Sequence, residues 1–145
     1  MGEKVNDQTT IGAPIDTVWN VITDLPTYPQ WTEGVIETEV VAITDEGYPH
    51  QGRFRIDAKV AEIAYVIEYR YEDYDIHWSL IEGDTISQLD GTYALTENGD
   101  GQTHVDYHLE VDVDLPIPHF LKKRAARSIL NSGLKGLKQR AEELS

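Results

Sequence analysis

Hydrophobic and polar residues alternate through much of the chain with the two-residue period of β-strands. From Val105 to Val113, every second residue is hydrophobic and each residue between is acidic or histidine. Because successive side chains of a strand point to opposite faces, this pattern predicts one buried and one solvent-facing side. The same reasoning predicts seven strands in all, at residues 5–11, 35–44, 51–60, 64–73, 75–82, 86–96 and 103–113.

Short segments of turn-forming residues separate several of these strands. They are Asp45-Glu46-Gly47, Glu82-Gly83-Asp84 and Asn98-Gly99-Asp100-Gly101. Such short links join antiparallel neighbours, because parallel strands need long crossover connections. The last segment indicates a hairpin and not a phosphate-binding loop, since a phosphate loop would lie between a strand and a helix. The pattern therefore predicts an antiparallel sheet.

The segment after the first strand shows the helical spacing of apolar residues instead. It begins at Pro14, a residue suited to the first helical position, and ends near Asp24. Its apolar residues are Ile15, Val18, Trp19 and Ile22. Two prolines follow and prevent a long continuation, so Tyr28 and Trp31 are predicted in a second short helical turn or a loop.

A long helix is predicted at the end of the chain. Pro116 and Pro118 end the last strand and precede a helix that continues to about Leu144. Its apolar stripe follows the 3.6-residue helical period. The stripe comprises Ala126, Ile129, Leu130, Gly133, Leu137, Ala141 and Leu144. Basic and polar residues occupy the other side, which is typical of a helix that packs with one face on a sheet.

The predicted sheet is much wider than the predicted C-terminal helix, and this mismatch in width predicts a cavity. Seven strands spaced about 4.8 Å apart make a sheet roughly 30 Å wide. One helix with its side chains is only about 10–12 Å across. The sheet must therefore curl around the helix, be filled by the short helices, or enclose a hollow. The helix is also thin at its middle, where Gly133 and Gly136 carry no side chain.

The residues predicted on the inner face of the sheet favour the hollow. Strand alternation places five of the eight tyrosines there, whereas the chain has only two phenylalanines. A buried phenol needs a hydrogen-bond partner, so a wet or ligand-filled pocket suits this composition better than a dry core. The alternative is that several of these hydroxyls lie near strand ends and reach solvent. The inner set is Phe54, Ile56, Ala58, Tyr65, Ile67, Tyr69, Tyr71, Ile76, Trp78, Leu80, Leu89, Gly91, Tyr93, Leu95, Tyr107 and Leu109.

From this set and the helix stripe we predict a ligand-binding site. The sheet would form one wall, the middle of the last helix the other, and Trp31 would lie near the mouth. The ten predicted residues are Trp31, Tyr69, Trp78, Leu80, Leu89, Tyr93, Tyr107, Leu130, Gly133 and Leu137.

Composition narrows the class of protein. The 145 residues predict a single domain over 1–145, and no apolar run is long enough for a membrane span or a secretory signal, so a cytoplasmic location is expected. The absence of cysteine excludes disulfides and thiolate chemistry. A net charge of −14 disfavours nucleic acid as a partner, because most of the surface would repel phosphates.

The basic residues are concentrated in the last helix. Lys122, Lys123 and Arg124 lie in its first turns, where positive charge opposes the helix dipole. Two explanations are open: acids of the neighbouring strands compensate the charge, or an anionic partner binds there, either an acidic protein or a membrane surface.

No catalytic residue, metal site or cofactor is predicted. His104, Asp106 and His108 share a strand face and could hold a metal, but alternation places that face in solvent. No serine lies in a nucleophile motif, although a triad assembled in space would escape this reading.

Several motifs resemble those of the SRPBCC (START-like) superfamily, in particular its polyketide cyclase/dehydrase and coenzyme Q-binding branches. The resemblance covers essentially the whole chain. Its motifs are Ile11-x-Ala13-Pro14-x-x-x-Val18-Trp19, Asp24, Tyr28-Pro29-x-Trp31, Gly91-Thr92-Tyr93, Pro116-x-Pro118-x-Phe120-Leu121 and Leu134-x-x-Leu137-x-x-Arg140.

The resemblance implies a helix-grip fold of the α+β class, with element order β-α-α-β(6)-α, and a cavity for a lipid, quinone or polyketide. Aromatase/cyclase members would position a polyketide with pocket arginines and hydroxyls. Here Arg53, Arg55 and Arg70 all alternate outward, which weakens the enzymatic branch.

Three functions are therefore open. The first is binding or transport of a hydrophobic small molecule without catalysis. The second is a polyketide cyclase, aromatase or dehydrase that acts on a carrier-bound substrate. The third is a protein-interaction module that uses the basic C-terminal helix.

Overall fold

The computed structural model describes residues 2–145, and within them it contains seven strands and three α-helices. The strands are β1 (Glu3–Ile11), β2 (Val35–Ile43), β3 (Pro49–Asp57), β4 (Glu62–Glu72), β5 (Asp75–Gly83), β6 (Ile86–Glu97) and β7 (Thr103–Val113). The helices are α1 (Ile15–Thr23), α2 (Tyr28–Trp31) and α3 (His119–Leu144), with a 3₁₀ turn at Leu25–Thr27. This confirms the helix-grip fold and its predicted element order.

The strands form one antiparallel sheet in the order β1-β7-β6-β5-β4-β3-β2. Hairpins join the strands from β2 to β7 in sequence, while β1 pairs with β7 at the far end of the chain. Most strand boundaries lie within two residues of the prediction, and the largest difference is that β3 ends at Asp57 and not at residue 60. Lys59 adopts a φ of 73°, and the amide of Ala58 donates to the carbonyl of Ala61, so a tight turn lies here.

Alternation assigned the sheet's inner face correctly, since every residue of the predicted inner set is buried or half-buried. The stripe of α3 is broader than predicted. Leu134 is 6% exposed and Gly136 is buried, whereas Leu144 at the end of the helix is 58% exposed. Within residues 2–145, no helix is both long and apolar enough to cross a membrane. The cytoplasmic location and the single-domain organisation stay predictions.

The helix α3 lies off-centre on the sheet. It packs chiefly against β1, and also against β7 and α1, at one side of the molecule. The short helix α2 contacts β2 and α3 at the other side. The inner faces of β3, β4 and β5 between them therefore lack a long helix above them, and they carry aromatic rings that contact one another or Tyr28, among them Phe54, Tyr69 and Trp78. The difference in width between sheet and helix that the sequence predicts is therefore located over these three strands.

The sheet also opens within itself. β5 and β6 pair only from Asp75 to Ser79, and beyond that point they diverge toward their connecting turn. Ile86 occupies the turn end of the gap, where a Cβ on Gly83 would lie 2.2 Å from the Ile86 Cγ2. The divergence adds to the curvature of the sheet and lets it wrap around interior space.

Candidate ligand-binding site

A cavity of about 80 Å³ lies between the sheet and the helices α2 and α3. Side chains of β3 to β7 form its wall on the sheet side, and Ile129 and Gly133 of α3 lie opposite. The residues that line it are Ile22, Tyr28, Trp31, Thr32, Val35, Phe54, Ile56, Tyr65, Ile67, Tyr69, Trp78, Leu89, Tyr93, Tyr107, Leu109, Ile129 and Gly133. We call this space the tyrosine chamber.

Most of the predicted site residues meet in the tyrosine chamber. Seven of the ten line it: Trp31, Tyr69, Trp78, Leu89, Tyr93, Tyr107 and Gly133. Their role in binding a ligand stays a prediction.

The other three predicted site residues do not line the chamber. Leu130 and Leu137 have no exposed surface and belong to the packed core, because the helix face that carries them is the one set against β1, β7 and α1. Leu80 lies beyond the last pair between β5 and β6, next to a bulge of β4 at Val66. Strand alternation identifies the inner face but not how far along it a cavity extends.

Sequence reasoning missed part of the lining. Ile22, Tyr28, Thr32 and Val35 come from the segment around α2, whose position over the sheet no local pattern encodes. The remaining missed residues were already predicted on the inner face of the sheet or in the stripe of α3, so a wider selection would have included them. They are Phe54, Ile56, Tyr65, Ile67, Leu109 and Ile129.

The aromatic rings of the chamber form a continuous network. The ring centroids of Tyr93 and Tyr107 are 4.4 Å apart, and Trp78 lies 5.2 Å from Tyr93 and 5.8 Å from Tyr107. Gly91 makes room for the indole, because a Cβ there would lie 2.1 Å from Trp78 Cε2. Such tilted contacts fix ring orientation, so the sheet wall is a rigid apolar surface.

The hydroxyl groups around the chamber fall into two sets. In the first set, Tyr28 donates to the carbonyl of Ile22, and Tyr93 and Tyr107 lie close enough that each shifts the pKa of the other. In the second set, the hydroxyls of Tyr65 and Tyr69 form no hydrogen bond within residues 2–145. Thr32 Oγ1 is the buried side-chain oxygen in this part of the chain that has no partner. On an apolar background, the chamber therefore presents one buried hydroxyl without a partner, that of Thr32, and two tyrosine hydroxyls that form no hydrogen bond within the described residues.

Burial sets the protonation state of these phenols. Desolvation raises the pKa of Tyr28, Tyr69 and Tyr93 well above 10.0, and neighbouring tyrosines raise it further. Burial also raises the pKa of Tyr65 and Tyr107. Because the charged form loses its hydration in an apolar site, these phenols stay neutral at physiological pH. They can donate or accept hydrogen bonds, but they are poor proton acceptors.

The sequence matches the family described as "Polyketide cyclase / dehydrase and lipid transport" over residues 3–142. The chain belongs to this family. No curated protein is a significant match to the sequence.

Several solved structures share the fold of this family member. A START superfamily protein from Mycobacterium smegmatis superposes with a TM-score of 0.90 at 24% identity, covering 99% of this chain and 100% of that one. A protein from Thermus thermophilus gives 0.83 at 24% identity, covering 98% and 99%. The Zhui aromatase/cyclase from a Streptomyces species gives 0.81 at 12% identity, covering 99% and 95%. At these identities the likeness concerns the fold.

Six lining residues of the tyrosine chamber in this family member are half-buried, and four of the six lie near α2 and α3. Trp31, Thr32, Val35 and Ile129 are the half-buried lining residues near α2 and α3, so we identify this side as the mouth. Trp31 Nε1 donates to Thr27 Oγ1 at 3.3 Å, a long contact. The backbone of α2 rests directly on α3, since a Cβ on Gly136 would lie 2.0 Å from the Trp31 carbonyl oxygen.

A second, smaller cavity of about 20 Å³ adjoins the first. The two share Ile56, Tyr65, Leu89 and Ile129, which form the partition between them. The rest of its lining is Ala58, Ile63, Ile86, Val111, Val113, Lys122, Ala125 and Ala126. Because Lys122 is the charged residue of this lining, we call the space the lysine chamber.

The basic cluster of α3 is not compensated by direct ion pairs. Lys122, Lys123 and Arg124 lie within 4.0 Å of no acidic group among residues 2–145. Other basic residues do pair, as Arg55 does with Glu37 and Glu62. Compensation by strand acids, one of the two explanations considered from the sequence, therefore does not occur through contact.

Proposed function

We propose that this protein binds a hydrophobic small molecule with a few polar groups in the tyrosine chamber, and that it acts as a carrier or sensor without catalysing a reaction. The observation that carries the proposal is the buried Thr32 hydroxyl, which has no partner among the described residues and lines an otherwise apolar enclosure. A buried hydroxyl without a partner is unfavourable, and a ligand oxygen would supply the missing bond.

The ligand would gain affinity mainly from the rings. Each Å² of apolar surface removed from water contributes about 25 cal/mol, and the aromatic network offers a rigid surface for a flat or chain-like molecule. The hydroxyls would then set its orientation. A lipid, a quinone or a polyketide-like compound has this division between an apolar body and a few oxygens.

The chamber must enlarge to hold such a molecule. Its volume of about 80 Å³ holds only a few waters, whereas sites for drug-sized ligands measure about 300–1,000 Å³. The mouth supplies the movable wall, because α2 has only four residues and Trp31 is held there by one long hydrogen bond. We therefore expect binding to displace Trp31 outward and to follow opening of α2.

The lining favours binding over catalysis. Among the described residues of the tyrosine chamber, tyrosine is the ionisable type, and burial raises the pKa of its phenols. Cyclisation and dehydration of a polyketide require removal of a proton, and a phenol with a raised pKa stays protonated near neutral pH, so little phenolate is present to act as the base. The adjacent phenols of Tyr93 and Tyr107, whose ring centroids are 4.4 Å apart, keep a cyclase, aromatase or dehydrase as the second candidate, since two neighbouring hydroxyls could polarise a carbonyl.

The basic cluster supports a partner outside the chamber. Lys123 and Arg124 are exposed, and Phe120 beside them is 63% exposed. An acidic protein or an anionic membrane surface would fit this combination, and delivery of a hydrophobic ligand requires such a donor or acceptor. The use of Lys122, Lys123 and Arg124 in this way stays a prediction.

Thermal shift and calorimetry with a plugged variant test the proposal. The probes are a short-chain quinone, dodecanoic acid and a polycyclic phenol, and native mass spectrometry of the purified protein detects any ligand already bound. We expect at least one probe to raise the melting temperature of the wild type. The variant Ile129→Trp should abolish the shift because it fills the chamber, while Lys135→Trp, on the exposed face of α3, should retain it.

The proposal is contradicted if no ligand co-purifies and no probe changes the melting temperature. Equal binding by both tryptophan variants would place the ligand elsewhere. Turnover of a poly-β-keto substrate that is lost in Tyr93→Phe would replace the proposal with the enzymatic function.

A further inference from the structure

The lysine chamber is an apolar compartment whose lining includes one basic residue, Lys122. Its lining residues from β3, β4, β6 and β7 are aliphatic except for Tyr65, and those from α3 are two alanines, Ile129 and Lys122. Lys122 is half-buried and forms no ion pair within residues 2–145.

The two chambers are aligned along α3. Gly133 lines the tyrosine chamber and Lys122 lines the lysine chamber, and Lys122 precedes Gly133 by eleven positions in α3, a distance of about 16 Å. Between the two lie Ile129 and Tyr65, both half-buried, and the Tyr65 hydroxyl has no hydrogen bond to hold it within the described residues. Rotation of these two side chains would join the chambers into one elongated channel.

We propose that the ligand is an elongated amphipath with a terminal carboxylate, which pairs with Lys122 while the apolar body crosses the partition into the tyrosine chamber. This inference rests on the proposed binding function and names the ligand class for the same site. A single lysine neutralises a single negative charge. A phosphate monoester would bring about −1.5 to −2 charges into the apolar chamber, and Lys122 alone would leave part of that charge unpaired.

The surroundings of Lys122 strengthen the pairing. The chamber lies beside the first turns of α3, where the helix dipole favours an anion and the flanking residues are Lys123 and Arg124. In a low-dielectric compartment, a hydrogen-bonded carboxylate and ammonium attract each other more strongly than at the surface. The positive charge that opposes the dipole in the empty protein would then be offset in the complex.

Binding of dodecanoate and dodecanol to matched lysine variants tests the inference. The two probes share a twelve-carbon chain and differ in the terminal group. Lys122→Met removes the charge and keeps the length of the side chain, and Lys123→Met removes the same charge from the exposed neighbour. We expect Lys122→Met to weaken dodecanoate binding about tenfold or more and to leave dodecanol binding unchanged. Lys123→Met should not show this selective loss of dodecanoate binding.

Each other outcome has a defined meaning. If wild-type protein binds both probes equally and Lys122→Met changes neither, the inference fails while the binding function stands. If both lysine variants weaken dodecanoate equally, the effect is long-range charge and the inference also fails. If neither these probes nor the quinone and the phenol bind to the wild type, the proposed function fails together with the inference.

Discussion

At the scale of single residues, the informative groups are the buried hydroxyls. Thr103 Oγ1 donates to the carbonyl of Ala13 at 2.8 Å, as a buried hydroxyl in a finished core should. Thr32 Oγ1 is equally hidden but has no partner among residues 2–145. The same residue type is thus satisfied where it serves the fold and unsatisfied where it lines the tyrosine chamber.

Replacing each of these threonines with valine separates the two roles. Thr32→Val removes an unpaired oxygen while keeping the shape, so we expect the free energy of unfolding to rise by about 1 kcal/mol or stay unchanged. Thr103→Val removes an existing hydrogen bond and should lower the free energy of unfolding by about 1 kcal/mol. Urea denaturation measures both. Thr32→Val should also weaken a ligand that bonds this hydroxyl, and a clear loss of stability in the unliganded variant would show that Thr32 has a structural partner.

At the scale of elements, the thin middle of α3 explains how the sheet, α3 and α2 can pack against one another. Gly133 leaves space for the rings of Tyr93 and Tyr107, and Gly136 leaves space for the backbone of α2. Two neighbouring glycines on one helix thus serve different contacts. One faces movable side chains at the chamber and the other faces a main-chain carbonyl at the mouth.

Alanine substitutions at these two glycines should differ in stability. Alanine favours a helix by about 1 kcal/mol over glycine. In Gly133→Ala the new Cβ would lie 3.1 Å from Tyr107 Cε2, so a small ring shift should leave stability near that of the wild type. In Gly136→Ala it would lie 2.0 Å from the Trp31 carbonyl oxygen, so α2 must move and we expect a net loss of about 1–3 kcal/mol.

Stopped-flow binding then tests whether α2 is the mouth. Gly136→Ala should increase the association rate of a ligand, because the displaced helix no longer closes the chamber, and Gly133→Ala should not. If Gly136→Ala proves as stable as Gly133→Ala and binds at the wild-type rate, the close approach of α2 to α3 does not control access.

How much of this could be predicted from the sequence depends on the range of the interaction. Alternation of residues such as Tyr69 and Tyr93 is a local property, so it placed them correctly on the inner face. The extent of the cavity depends on where α3 rests, which is a long-range outcome. For that reason Leu130 and Leu137 were predicted in the site although they pack in the core, and Tyr65 was left out of it although it lines both chambers.

At the scale of the whole molecule, the tyrosines make stability depend on alkaline pH. Burial raises the pKa of six phenols, those of Tyr28, Tyr65, Tyr69, Tyr71, Tyr93 and Tyr107. In the unfolded chain these phenols ionise near their ordinary pKa of about 10. Above that pH the unfolded state has lost protons that the native state still holds, so the free energy of unfolding falls as pH rises.

We therefore expect full stability below pH 10 and cooperative unfolding above it, with tyrosinate absorbance and loss of far-ultraviolet circular dichroism appearing together. Each phenol that ionises only on unfolding contributes a slope of about 1.4 kcal/mol per pH unit. Tyr69→Phe isolates one such contribution, because its hydroxyl has no hydrogen bond within the described residues and its loss should cost little at neutral pH. The variant should unfold at a higher pH than the wild type, since it carries one phenol fewer whose pKa is raised by burial. Gradual ionisation of the buried tyrosines with unchanged circular dichroism would instead mean that water already reaches the chamber, and the apolar enclosure on which ligand affinity depends would be absent.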